Sequence, residues 1–228
     1  MQNILFQIFS VMISCLIAAG LYLKVDVINK GGPVMVPIIL CSIFALAIIM
    51  ERLISLYRSK INSAKFMDDI TIALKRNRIS EALEICEETQ GPVAQILKAG
   101  ISRHDRSRQE IREAIEDAGL HEVPKLEKNL SALATIAHVS PLLGLLGTVT
   151  GMVHTFQIIQ QKAQAMVPVD PSVLARGIWE ALITTVAGLI VAIPSFVAYN
   201  FLVSKVQNLI VEMEILATDL LNILTQKR

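Results

Sequence analysis

Aromatic residues make up only 5% of this 228-residue chain, and charged residues only 18%. Neither sign of charge is in excess: 21 Lys and Arg stand against 20 Asp and Glu, for a net charge of +1. Without a basic surplus there is no electrostatic footprint for nucleic acid. Cysteine is scarce. Cys15, Cys41 and Cys86 are widely spaced and form no CxxC or His-linked pattern, so neither a disulfide framework nor a zinc site is indicated. Catalytic signatures are missing as well: no nucleophile–base pair, phosphate loop or metal-ligand spacing occurs. The sequence therefore argues against an enzyme and requires no cofactor or metal.

What the chain has instead is apolar length. Hydrophobic residues reach 53%, and the mean hydropathy is +0.55, too apolar for a soluble domain of ordinary composition. Several runs approach the roughly 20 residues that span a bilayer. They are continuous rather than alternating, which disfavours a β-barrel. The expected fold is an all-α integral membrane protein.

The chain divides into six stretches. Residues 1–30 hold an apolar run at 4–23, which fits an extra membrane helix, an amphipathic surface helix or a secretory signal. Its length favours the span, and the absence of a basic residue before it weakens the signal reading. Residues 31–57 form a transmembrane helix with Pro37 in its first turn. Residues 58–128 have helical periodicity without membrane length. The span 52–128 carries 14 of the 21 Lys and Arg residues, which places it in the cytoplasm. Residues 129–160 form a second transmembrane helix, expected to continue directly from the cytoplasmic helix before it, with Pro124 as a kink or a new start. Residues 161–171 are a short link on the outer side. Residues 172–228 make a third transmembrane helix, some 50 residues and about 75 Å long, whose second half must extend into the cytoplasm. There Val206, Leu209, Ile210, Met213, Leu216, Leu220 and Ile223 keep a stripe for packing on the preceding helix.

The polar content of the second and third spans is the unusual part. Ser140, Gly144, Gly147 and Gly151 share one helix face by their spacing, and Gly177, Ala181, Thr185, Gly188, Ala192 and Ser195 share another. Small residues at this spacing let membrane helices approach closely, either within one subunit or around a helix from elsewhere. Thr148 and Thr185 lie on the two faces. Such hydroxyls can be satisfied by their own helix backbone, or they can belong to a shared polar lining. Glu180 is read either as an interfacial residue near the outer helix end or as a carboxyl on an ion path. His138 and His154 fit interfacial positions, although His154 shares the Gly147–Gly151 spacing. No proton-relay chain closes within residues 133–203, and the small-residue faces look like the place for a partner helix.

SPLLGLLGTVTGMVHTF, followed by DPSVLARGIWEALITTVAGLIVAIPSFVAYN, resembles the ExbB/TolQ/MotA proton-channel family, most of all its ExbB and TolQ members. GGPVMVPIILCSIFALAIIMERL is similar to the first membrane helix of that group. The resemblance covers about residues 31–205. It implies three family transmembrane helices and long helices extending into a cytoplasmic helical domain; residues 1–30 lie outside the resemblance, and the run at 4–23 would add a fourth helix or replace an outer amphipathic one. It implies a multi-pass protein of the bacterial inner membrane. The chain would be a subunit of a homo-oligomeric ring, a pentamer, around an ExbD/TolR-like single-span protein. A TonB/TolA-like periplasm-spanning protein is the further partner. By motif match Thr148, Thr185, Glu180 and Thr184 line the ion pathway, and Pro141 and Pro194 match family positions as helix kinks. Proton flow would then energise outer-membrane transport or envelope maintenance. A flagellar-type stator and a non-conducting membrane scaffold are the alternatives.

Overall fold

A computed structural model describes residues 31–59, 61–168 and 170–226. The readings of the run at 4–23 fall outside the described residues. All regular structure among the described residues is α-helical. Seven helices follow in order: α1 (Met35–Arg58), α2 (Ser63–Lys75), α3 (Ile79–Glu88), α4 (Pro92–Ser102), α5 (Arg108–Glu127), α6 (Leu130–Gln164) and α7 (Pro171–Gln226). Among the described residues, the stretches holding α1, α6 and α7 are the three that are long and apolar enough to cross a membrane.

Local chemistry sets the helix ends. Ahead of α1, Gly32 takes a left-handed φ of 67°, and its carbonyl accepts from Met35 N–H at 3.2 Å. Asn62 caps α2 by accepting from Lys65 N–H at 3.3 Å. Gly91, with φ 139°, and Pro92 open α4. Ser107 and Glu110 form a reciprocal box at the start of α5. The Ser107 hydroxyl accepts from Glu110 N–H at 3.3 Å and donates to the Glu110 carboxylate at 2.8 Å. Asp170 caps α7, accepting from Ser172 N–H at 2.8 Å.

One boundary differs from the sequence expectation. The chain does not run unbroken from α5 into α6. It turns at Lys128–Asn129, where Asn129 is left-handed with φ 62°. Pro124, the expected kink, lies inside α5. Asn is among the few residues that accept a left-handed backbone readily, and this turn closes α5 three residues after the proline. At its far end α6 continues to Gln164, so the link before α7 is shorter than the 161–171 read from sequence.

The described residues cluster into two compact units. The first holds the chain up to Ile49 and Ser131–Asn200. Its core brings Met35 and Ile38 of α1 against Ala187 and Val191 of α7, with Ile136 and Leu143 of α6 alongside.

The second unit holds Met50–Leu130 and the chain from Phe201 onward. Successive helices α2, α3, α4 and α5 pack on one another. Helix α4 is the hub: Val93, Ala94, Ile96, Leu97, Gly100 and Ile101 are all buried. A Cβ on Gly100 would lie 2.9 Å from Ile115 of α5 and 3.0 Å from Leu220 of α7. The apolar stripe of α7 is buried at Val206, Met213, Leu216 and Leu220. Each fully buried aliphatic side chain contributes about 1.5–3 kcal/mol.

Candidate functional site

The first unit is built on close approach of α6 and α7. A Cβ on Gly144 would come within 2.9 Å of Thr185 Cα and 3.0 Å of the Thr184 carbonyl oxygen. One on Gly188 would meet the Ser140 carbonyl oxygen at 2.6 Å, and one on Gly151 the Ala181 Cβ at 3.2 Å. Cβ atoms on Gly147 and Gly177 would collide with the Thr184 and Thr155 hydroxyls. Ser140, Ala181 and Ala192 are buried in the same unit. Backbones this close leave no room for side chains, which is the geometry small residues permit in lipid. The two small-residue faces therefore pack on each other within one chain. Of the two contacts that the spacing allows, within one subunit or around a helix from elsewhere, the described chain makes the first.

The hydroxyls divide into two kinds. Thr184 is 1% exposed and donates to the Ala181 carbonyl at 2.7 Å, with the Gly144 carbonyl at 3.4 Å. It is sealed in the α6–α7 joint. Thr185 is only half-buried and donates across the joint to the same Gly144 carbonyl at 3.1 Å. Thr148, also half-buried, donates to the Leu145 carbonyl in its own helix at 2.6 Å. The Thr150 and Thr155 hydroxyls likewise return to carbonyls one turn back, at 2.9 and 2.8 Å. Pro141 and Pro194 lie inside helices that continue through them.

Glu180 sits elsewhere. It lines a cleft of about 300 Å³ with Thr150, His154, Gly147 and Gly151 of α6 and with Gly31, Pro33 and Val34 ahead of and at the mouth of α1. Thr148 and Thr185 do not line this cleft. The structure thus brings Glu180 together with His154 and Thr150, and keeps the two half-buried threonines separate. His154, read from sequence as interfacial, faces the carboxyl's cleft. The Gly31-Gly32-Pro33 turn was legible only as a break between apolar runs. Its two glycines were the signal that backbone comes close to something there.

The Asp170 carboxyl, outside the spans, is held below its usual range by the Ser172 backbone N–H. Cys86 is buried in the second unit, and burial pushes its thiol up to about 11, which makes it a poor nucleophile. Among the described residues no three His, Cys, Asp or Glu side chains converge to hold a metal ion.

Comparison with known proteins agrees with this architecture. The family model described as the MotA/TolQ/ExbB proton channel family matches residues 88–215. The biopolymer transport protein ExbB of Neisseria meningitidis is 29% identical over 88% of this chain and 97% of its own length. The Tol-Pal system protein TolQ of Haemophilus influenzae is 32% identical over 82% of this chain and 84% of its own. The TolQ protein of Pseudomonas aeruginosa is 38% identical over a shorter stretch, 47% of this chain and 50% of its own. The match reaches across the closely packed α6–α7 pair and about half of the second unit, and this multi-pass membrane protein is a member of the MotA/TolQ/ExbB proton channel family.

Proposed function

We propose that the chain is the ring-forming subunit of a proton-driven motor in the bacterial inner membrane. Five copies of the chain surround an ExbD/TolR-like single-span partner. A TonB/TolA-like protein carries the work to the outer membrane, for transport or envelope maintenance. The chain itself performs no covalent chemistry.

One observation carries this reading. Helices α6 and α7 approach as closely as glycine allows, yet Thr148, Thr185 and Glu180 remain partly exposed beside the joint. A polar group at bilayer depth is costly unless it meets protein or water. These three groups are left over by the chain's own packing, so they are available to line a path shared with other chains. Thr184, sealed in the joint, supports the lining by holding the helix pair rather than by meeting an ion.

Membrane depth follows from the aromatic residues of α7. Trp179 and Tyr199 are 20 residues apart, about 30 Å along the axis, the thickness of a hydrocarbon core. Glu180 then lies at the outer border, and Thr185 lies about 9 Å inside it. The second unit, with most of the basic residues, faces the cytoplasm. Pro141 and Pro194 allow the two helices to bend without breaking.

The test is a Thr148→Val and Thr185→Val double variant in cells that depend on this protein. Valine keeps the shape and removes the hydroxyl, so the ring is expected to assemble while proton-driven growth or transport fails. Full activity would remove the lining from the mechanism and favour a non-conducting scaffold.

A further inference from the structure

The turn before α1 makes a specific contact that neither the family match nor the threonine lining accounts for. Gly32 has φ 67°, a conformation that glycine adopts without strain. The space where its Cβ would stand is occupied by Glu180 Oε1, and the carboxyl carbon lies 3.6 Å from the same point. A Cβ on the neighbouring Gly31 would collide with the buried Met35 side chain at Cγ and stand 3.5 Å from Ile183 Cγ2, one turn along α7 from Glu180. The turn therefore seats on α7 across Glu180 and Ile183, with its bare backbone against the carboxylate. His154 and Thr150 of α6 line the same cleft. Among the described residues, Glu180 and His154 are the titratable groups lining it, and the stretch leading into α1 contributes glycine, proline and valine.

We propose that Gly32 is a positioning residue for the Glu180 carboxyl, its missing Cβ leaving the space that holds the carboxylate in the cleft that His154 also lines. The inference deepens the reading of Glu180 as a group on the ion path and rests on it for its consequence, though not for its geometry. A methyl group at this position would push the carboxylate out of its seat. The same methyl at Gly31 would collide with the buried Met35 side chain and not with Glu180. Gly31→Ala therefore disturbs the same turn without touching the carboxyl and serves as the control for a general loosening of the turn.

The experiment uses the full chain in membranes, together with its native partner. The first readout is modification of Glu180 by dicyclohexylcarbodiimide, an apolar reagent for carboxyls, followed by mass on the Glu180 peptide. Gly32→Ala is expected to change the modification rate several-fold, and Gly31→Ala is expected to leave it near wild type. An unchanged rate in Gly32→Ala overturns the proposal. The second readout is proton-driven activity. Gly32→Ala is expected to lose on the order of tenfold, the scale of a misplaced functional group. Gly32→Asn, which tolerates a left-handed backbone but carries a Cβ, is expected to lose as much. Normal activity in Gly32→Asn would assign the defect to backbone strain and overturn the positioning role. Adding Glu180→Asp to Gly32→Ala retracts the carboxylate by one methylene and is expected to recover several-fold over Gly32→Ala alone; no recovery counts against the proposal. If Gly32→Ala fails to assemble, Gly32→Ala with Glu180→Ala is expected to assemble again, and failure there overturns the contact. Failure of the ion-path reading is distinct: Glu180→Gln would then keep full activity while the carbodiimide rates still report on Gly32.

Discussion

The two units of this protein are held together in opposite ways. In the first, α6 and α7 meet through glycine, against backbone at Gly144, Gly151 and Gly188 and against the Thr184 and Thr155 side chains at Gly147 and Gly177. Large apolar side chains there point outward: Leu142, Leu145, Val149, Phe156, Leu182, Val186 and Ile193 are all exposed. In the second, large side chains point inward, around Leu97, Ile101, Ile111 and Leu220. The difference teaches where the driving force lies. Lipid tails are as apolar as leucine, so helices in lipid gain by close packing and hydrogen bonds. Helices in water gain by removing apolar area from solvent. Each unit follows the rule of its own solvent.

The largest expected effect comes from breaking the first mode. Gly188→Leu would drive a branched side chain into the Ser140 carbonyl, which has no rotamer by which to yield. Folded protein recovered from membranes should fall to near nothing, while the same change at Gly119, where a Cβ would meet nothing within 4 Å, should be silent. The matching break in the second mode is Leu97→Ala. It should cost about 2–5 kcal/mol of stability, seen as a lowered denaturation midpoint of the purified protein, with a smaller effect on membrane insertion than Gly188→Leu.

A third prediction sharpens the comparison within the second unit, where one charge is buried. Arg52 is 3% exposed. Its guanidinium pairs with Glu51 and donates to the Lys125 carbonyl at 3.0 Å and the Leu126 carbonyl at 3.5 Å, near the end of α5. Asn129 reaches the same Glu51 carboxylate at 3.4 Å. Positive charge at a helix C-terminus is favourable, so this group fastens the end of α1 to the turn that closes α5. Arg52→Ala should cost about 1–3 kcal/mol by leaving carbonyls unpaired, and Arg52→Lys should recover only part, because one ammonium cannot replace both the Nη1 bonds to the carbonyls and the Nε and Nη2 bonds to Glu51. Denaturation curves of the three proteins would show the order.

The smallest effect is at the start of α5. Ser107→Ala should cost about 1 kcal/mol. The Ser107 hydroxyl holds the Glu110 carboxyl below its usual range of about 4.5. A carboxyl depressed by folding adds stability above its unfolded pKa and loses it as pH falls through the lower folded value. Acid titration of α5 unfolding should therefore show a small loss below about pH 4.5 that Ser107→Ala abolishes. A loss of equal size in the variant would assign the acid response to other carboxyls.

Much of the helix content was legible because its signals are local. Asp170-Pro171-Ser172 reads as a cap and first turn, and α7 starts at Pro171. The glycine spacing in 144–151 and 177–188 announces a close helix contact. What spacing cannot say is whose helix makes that contact, since a small-residue face serves a neighbour in the same chain or in another equally well. The α5–α6 break was missed for a similar reason. Pro124 is the strongest breaker nearby, yet proline disrupts a helix only through one hydrogen bond and one carbonyl, whereas the left-handed Asn129 ends it.

The sequence by itself determined which stretches are long and apolar enough to cross a membrane and which are not. Hydropathy, charge distribution and small-residue spacing depend only on what each residue is and how far along the helix the next one lies. Only the tertiary structure decided which polar groups remain after packing. Thr184 and Thr185 are adjacent in sequence, yet one is sealed against Gly147 and the other is half-exposed on the Gly144 carbonyl. Glu180, one turn earlier, leaves both and lies against Gly32, from a turn about 150 residues away in the chain. Adjacent helix positions are rotated by about 100°, so the register of α6 and the turn before α1, both remote in sequence, set the fate of each side chain.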